Sequence, residues 1–183
     1  MKNFIIPTKD QVDDKGKAIF DQLEKSIGKV PNLYATIGHS SNALEAYLQF
    51  QQAQAKGSFN AKEREAVNLA VSQANACQYC LAAHTTIAKM NGFTEEETLQ
   101  LRAGTIEDAK LRAITRLSSA IVHSHGKPAQ EELDAFFEQG YDEKALMDLV
   151  SLVADKSLSN YVHNITQIAI DFPEAKPLEQ EVY

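Results

Sequence analysis

Apolar residues recur along this chain three and four positions apart, and the strict apolar-polar alternation of strands does not take hold anywhere, so the pattern predicts helices throughout. Thr8 is placed to cap a first helix running toward Gly28, with Val12, Ile19, Phe20, Leu23 and Ile27 as its apolar stripe. Pro31 opens a short segment over 32–37, and Ser41 opens a helix that ends near Gly57. Asn60 and Glu63 form a capping pair heading a helix through Ala66, Leu69 and Ala70 to about Ala74. Asn75 reads as the cap of the next helix, which stops at Asn91-Gly92. Thr94 with Glu97 repeats the capping pattern, and Thr105 or Glu107 starts a helix that reaches His125-Gly126. A helix after Pro128 carries Leu133, Phe136 and Phe137 to Gly140, and a last long one runs from near Asp142 to about Ile170, closed by Pro173. The expected fold class is all-α.

The chain's 183 residues suffice for one domain over 1–183, which at this size buries roughly 70% of the surface its unfolded form exposes, with a loose tail expected over 174–183. Laying the Cys77 region on the last helix gives a faint internal echo, suggesting two similar helical halves. It sets Cys77, Cys80 and His84 opposite Ser157, Asn160 and Asn164. A net charge of −7 with scattered Lys and Arg excludes the dense basic stripe that nucleic acid requires. No run approaches the 18 or so apolar residues of a membrane span. The stretch from Met1 to Pro7 is too short in apolar residues for a secretory signal, so the expected location is the cytoplasm, where thiols are kept reduced.

That compartment changes the meaning of the two cysteines, Cys77 and Cys80, which are the only ones present. A bridge between them closes too short a loop to hold distant parts of the fold together, so chemistry explains them better than stapling. On a helix they share a face, with His84 one turn beyond Cys80. A helix N-terminus and an imidazole both favour thiolate, the nucleophilic form of cysteine. Glu65, on the preceding helix, opposes thiolate if charged and close to sulfur, and suits proton acceptance instead. Lowering a thiol pKa gains thiolate but loses nucleophilicity, a net advantage of only a few-fold, so a fast reaction also needs a positioned acid, worth about 10² to 10⁴.

Glu65, then Cys77-x-x-Cys80, then His84 resembles the motif of the AhpD-like alkylhydroperoxidases in the carboxymuconolactone decarboxylase superfamily, anchored over about 62–92. The ending Asn160-Tyr161 to Asp171-Phe172-Pro173 resembles that of peroxidase-related members with Cys-x-Tyr-Cys. The resemblance implies an AhpD-like helical domain that reduces organic hydroperoxides or a partner disulfide. By that likeness Cys80 is the peroxidatic thiol, Cys77 the resolving thiol, and Glu65 with His84 the proton relay. It also implies a homo-oligomer, a thiol-donor protein or peroxiredoxin as partner, and no metal, haem or flavin cofactor. This chain departs from the best-characterised motif by carrying Tyr79 where a histidine precedes the second cysteine. Tyr79 is therefore only an auxiliary candidate, a phenol being a poor base at neutral pH.

Three other readings stand beside this one. Two inert buried thiols, or a zinc site using Cys77, Cys80 and His84, would involve no redox cycle, and the zinc reading lacks a convincing second half. A decarboxylase-like lyase or hydrolase would leave the thiols unused. His39, His123, His125 and His163 read as surface or hydrogen-bonded residues. Tyr34, Tyr47, Phe50, Phe59, Phe136 and Phe137 read as core or subunit contacts, a few of them able to wall an apolar pocket.

Overall fold

The Asn60 and Thr94 capping boxes form as the sequence demands: each cap side chain accepts from the N–H of Glu63 or Glu97, whose carboxylate returns to the cap N–H. In a computed structural model that describes residues 4–178, every regular element is helical. After a 3-10 turn at Lys9–Gln11 come α1 (Asp14–Ile27), α2 (Asn32–Ile37), α3 (Ser41–Gln54), α4 (Ala61–Ala74) and α5 (Gln78–Met90). They are followed by α6 (Glu95–Ala103), α7 (Ala109–His123), α8 (Gln130–Glu138) and α9 (Glu143–Thr166).

The central helix is α4, which packs against α5, α6, α7 and α9. It is accordingly apolar on more than one face, with Ala66, Val67, Leu69 and Val71 fully buried. Glu65, Asn68 and Ser72 interrupt that surface at helical spacing and are buried as well. A matching set on α9, from Asp155 and Lys156 through Ser159 and Asn160 to His163, is also buried. The two polar stripes meet where Asn160 Nδ2 donates to Ser72 Oγ at 3.3 Å. A polar seam thus enters a protein whose remaining core divides into two apolar clusters. One is built on α4 and α6–α9, and the other on the N-terminal helices and the cysteines. The opposite side of α9 leaves Met147, Val150, Leu158, Tyr161 and Ile165 exposed.

Several boundaries differ from those the pattern predicts. Thr8 opens only the 3-10 turn, because Val12 goes extended to bury its side chain; Asp13 caps α1, accepting from Gly16 N at 2.7 Å. Asp108, not Thr105 or Glu107, caps α7, since Ile106 is buried in the connecting loop and Arg112 holds the carbonyls of Ile106 and Glu107. α9 stops at Thr166, where Gln167 turns left-handed with φ 49°. The chain then runs back across α2, with Asn32 Nδ2 donating to Ala169 O at 3.0 Å and Ile168 buried. Of the tail expected to be loose, 174–178 is anchored by Ala175 against the core and by Arg102 Nη1 donating to Lys176 O at 2.6 Å; 179–183 lies outside the described residues.

α1 and α2 meet at Gly38, where an added Cβ would lie 2.7 Å from Phe20 Cε1 and 2.9 Å from Ala35 O. Gly38→Ala is expected to cost about 1–3 kcal/mol through overpacking. In urea melts the midpoint should fall with the slope unchanged. Wild-type stability would show that Phe20 moves aside freely.

Candidate active site

Three residues reverse the chain between α4 and α5 and set the position of both sulfurs. Asn75 closes α4 instead of capping α5, as the sequence had suggested, because Ala76 adopts a left-handed φ of 50° and turns the backbone away. Cys77 is the residue that caps α5: its Sγ accepts from Cys80 N at 3.4 Å while its own N–H donates to Ser72 O at 2.9 Å. The reversal is clamped from α9. Asn75 Nδ2 donates to Asn160 Oδ1 (3.0 Å) and Ser157 Oγ (3.3 Å), and Asn164 Nδ2 donates to Asn75 O (2.7 Å). Ser157, Asn160 and Asn164 are the residues that the sequence echo set opposite the motif.

The two thiols are inequivalent. By donating its S–H to the Cys80 sulfur, Cys77 is held protonated, and burial reinforces this, so its pKa lies far above the ordinary thiol range. Receiving that hydrogen bond brings Cys80 down to about 6 in spite of burial, helped by the charges of Lys156 and His84 and by the Asn160 amide. Cys80 also sits in the first turn of α5, where the helix N-terminus favours a negative sulfur.

One α5 turn beyond Cys80, His84 reaches Glu65 on α4, and its Nδ1–H donates to Glu65 Oε2 at 2.7 Å. Burial by itself would raise the Glu65 carboxyl. The charge and hydrogen bond of His84, the charge of Lys156 and the Asn68 amide, which donates to Oε1 at 3.0 Å, outweigh it and hold the group below the usual carboxylate range. With Nδ1 fixed, His84 keeps Nε2 for a second partner. Glu65, Cys77, Cys80 and His84 are therefore gathered at the α4–α5–α9 contact. Among the described residues, no cluster of three or more His, Cys, Asp or Glu is arranged to hold a metal ion.

Cys80 and His84 open onto a cavity of about 300 Å³. Tyr34, Tyr47, Tyr79 and Phe172 supply aromatic wall, and Ile27, the exposed end of the α1 stripe, lies at its edge. Along one wall Tyr34 Oη donates to Gln51 Oε1 at 2.8 Å and Gln51 Nε2 to Tyr47 Oη at 2.9 Å. The Tyr79 hydroxyl donates to Asp171 Oδ1 at 2.6 Å and accepts from Leu33 N at 3.2 Å. Asp171 also binds Lys29 Nζ at 2.9 Å, and Lys29 lies 4.2 Å from the Phe172 ring centre. Tyr79 thus clasps the C-terminal segment over the cavity. A larger apolar groove of about 1090 Å³, lined by Phe4, Ile5 and Phe50 among others, holds neither thiol nor carboxyl.

Sequence reasoning missed Lys156, which is buried and lines the cavity, as well as Asp155 and Asn160. It also assigned His163 to the surface or to a hydrogen bond. That ring is buried 5.4 Å from the Tyr79 ring, and its Nδ1 has no partner among the described residues. The available signal was the recurrence of these polar residues at helical spacing within a long, otherwise apolar segment.

With this geometry in place, comparison with known proteins adds the following. A family model described as the carboxymuconolactone decarboxylase family matches residues 41–125. The uncharacterized protein YdfG of Bacillus subtilis (strain 168) is 32% identical over 101 residues, 54% of this chain and 69% of that protein. The crystal structure of an AhpD core, an uncharacterized peroxidase-related protein from Ralstonia eutropha JMP134, superposes with a TM-score of 0.81 at 21% identity, covering 92% of each chain. The debrominase Bmp8, as a cysteine-to-alanine variant in complex with 2,3,4-tribromopyrrole, gives a TM-score of 0.77 at 18% identity, covering 93% of each chain. At such identities the structural likeness is one of fold.

Two expected outcomes follow from the electrostatics. Iodoacetamide should alkylate Cys80 first, with an apparent pKa of about 6, while Cys77 stays protonated; mass spectrometry after a pH series locates each event. Glu65 has a folded-state pKa below its unfolded value, so its contribution to stability is present above the unfolded value and is lost as pH falls through the folded one. Glu65→Gln should flatten that acid limb of the stability profile, and an unchanged limb would place the acid sensitivity elsewhere.

Proposed function

Because this chain belongs to the carboxymuconolactone decarboxylase family, we propose that it is a thiol-dependent peroxidase that reduces organic hydroperoxides through the Cys77–Cys80 pair. The observation that carries this reading is the asymmetry of the two sulfurs. Cys80 lines the cavity beside His84, while Cys77 caps α5 behind it and lines no part of that cavity, and the surrounding hydrogen bonds and charges favour the anion on Cys80.

The cycle uses the groups in place. The Cys80 proton having already passed to His84, the thiolate attacks the distal oxygen of the hydroperoxide. The S–O bond forms, the O–O bond breaks, and the leaving alkoxide takes the proton from His84, giving an alcohol and a sulfenic acid. Cys77 then attacks the Cys80 sulfur. The S–S bond forms, and the displaced hydroxide leaves as water with the Cys77 proton. An external dithiol, such as a lipoyl or thioredoxin-like protein, reduces the disulfide and carries away the oxidising equivalents.

Magnitudes show which part of the site matters most. At a pKa of about 6, Cys80 is about 90% thiolate at pH 7 against about 3% for an ordinary thiol, a gain of about 30-fold. Reduced basicity takes back about 13-fold. The decisive contribution is then delivery of a proton to the leaving oxygen, which the Glu65–His84 pair is built to provide by fixing the ring and steadying its charge.

Turnover of cumene hydroperoxide with a dithiol donor should fall to background in Cys80→Ser. Cys77→Ser should complete one oxidation and leave a sulfenic acid that dimedone traps. His84→Gln should lose about 10²-fold or more at neutral pH. Unchanged turnover in Cys80→Ser would assign the activity to chemistry that bypasses the thiols. Turnover of a brominated pyrrole in place of the hydroperoxide would move the chain toward the debrominase.

A further inference from the structure

Lys156 is 3% exposed, yet none of the ion pairs among the described residues includes it. An ammonium buried without an anion is strongly disfavoured, and a lysine in that position either loses its proton or faces a negative group. Its neighbours narrow the choice. Glu65 on α4 is committed to His84 and Asn68. Asp155, beside it on α9, has its carboxyl raised by burial in spite of the charge of Lys156, forms no ion pair with it, and keeps an Oδ1 without a partner among the described residues. Tyr34 on α2 and Tyr47 on α3 are phenols pushed up by burial and stay neutral. Cys77 keeps its proton. The charge of Lys156 also reaches Glu65 and Asp155, but neither lines the cavity that Lys156 lines; the group there that shares it with Lys156 and His84 and can carry a negative charge is the Cys80 sulfur.

We infer that Lys156 is a further catalytic residue of this site, the counter-ion of the Cys80 thiolate and the N–H donor that meets the oxygen leaving the attacked hydroperoxide. The second half of this role rests on the peroxidase reading. As sulfur attacks, its negative charge passes through the S–O bond being made and the O–O bond being broken to the alkoxide oxygen. That oxygen accepts hydrogen bonds more strongly than sulfur does. A fixed ammonium already desolvated beside the sulfur therefore binds the charge more tightly after the transfer than before it, the condition for catalysis rather than mere substrate binding. The proton itself still comes from His84. Once the disulfide forms, Lys156 has lost its anion, so the reduced state is favoured and the disulfide is a better oxidant than one without such a cation.

The test compares Lys156→Met, Lys156→Gln and Lys156→Arg with wild type, with folding of each checked by circular dichroism. The first iodoacetamide alkylation should shift from an apparent pKa of about 6 to about 7 or above in the Met and Gln variants and stay near wild type in Lys156→Arg. Equilibration with a dithiol buffer at pH 7 should show the disulfide about fivefold harder to reduce in the uncharged variants, about 20 mV. At pH 7, with each rate divided by the thiolate fraction read from that variant's alkylation profile, single-turnover oxidation by cumene hydroperoxide should remain about tenfold slower without the charge. An unshifted alkylation profile in both uncharged variants overturns the counter-ion role. Equal peroxide rates per thiolate overturn the leaving-oxygen role. Failure of the wild type to consume cumene hydroperoxide overturns the peroxidase reading instead, and the alkylation arm still decides what Lys156 does for the sulfur.

Discussion

The reversal at Asn75–Cys77 is the constraint on which the site depends. A left-handed Ala76 places Cys77 at the cap of α5, and from there helical geometry fixes Cys80 one turn on and His84 one turn further. A non-glycine residue with positive φ is strained, and here α9 holds it in place. Ser157, Asn160 and Asn164 occupy the polar groups of Asn75 so that the turn cannot relax into a continued helix. Loss of that clamp would move both sulfurs together with the imidazole over Glu65.

The second constraint is electrostatic. Glu65, Cys80, His84, Asp155 and Lys156 lie where two buried polar stripes face each other, and each charge there needs a partner to persist away from water. Glu65 and His84 satisfy one another, and the Cys77 thiol steadies the Cys80 sulfur. The seam is only partly satisfied, since Asp155 Oδ1 and His163 Nδ1 have no partner among the described residues, and the packing of the helices around it carries that cost. The same arrangement sets the reacting groups in a cavity whose aromatic and aliphatic walls are broken by Lys29, Gln51 and Lys156, with the Asp171–Phe172 segment held across it by Tyr79 and Lys29.

Much of this was legible in advance because local rules govern it. The capping boxes at Asn60 and Thr94, the Asn91-Gly92 stop and the all-helical periodicity involve residues three or four apart, and these interactions form within a single helix whatever surrounds it. Cys77, Cys80 and His84 could be named from their spacing and Glu65 only from the family resemblance, and the fold brings Glu65 to His84 and Cys77 to Cys80. Helix ends set by long-range burial, at Val12, Ile106 and Gln167, could not be found this way, because the competing interaction lies elsewhere in the chain.

The sequence by itself determined the helices and, through its resemblance to a known motif, the four candidate residues, since capping and periodicity act within a helix and a motif is a pattern of residue types along the chain. Only the tertiary structure decided which sulfur is ionised, what Tyr79 binds and that Lys156 stands in the cavity. What Tyr79 binds and where Lys156 stands depend on contacts between α5 and residues about 75 to 90 positions away on α9 and the segment after it, while the charge on Cys80 depends first on Cys77, which the reversal turns against it, and then on Lys156, His84 and Asn160, because a charge is stabilised by what surrounds it in space.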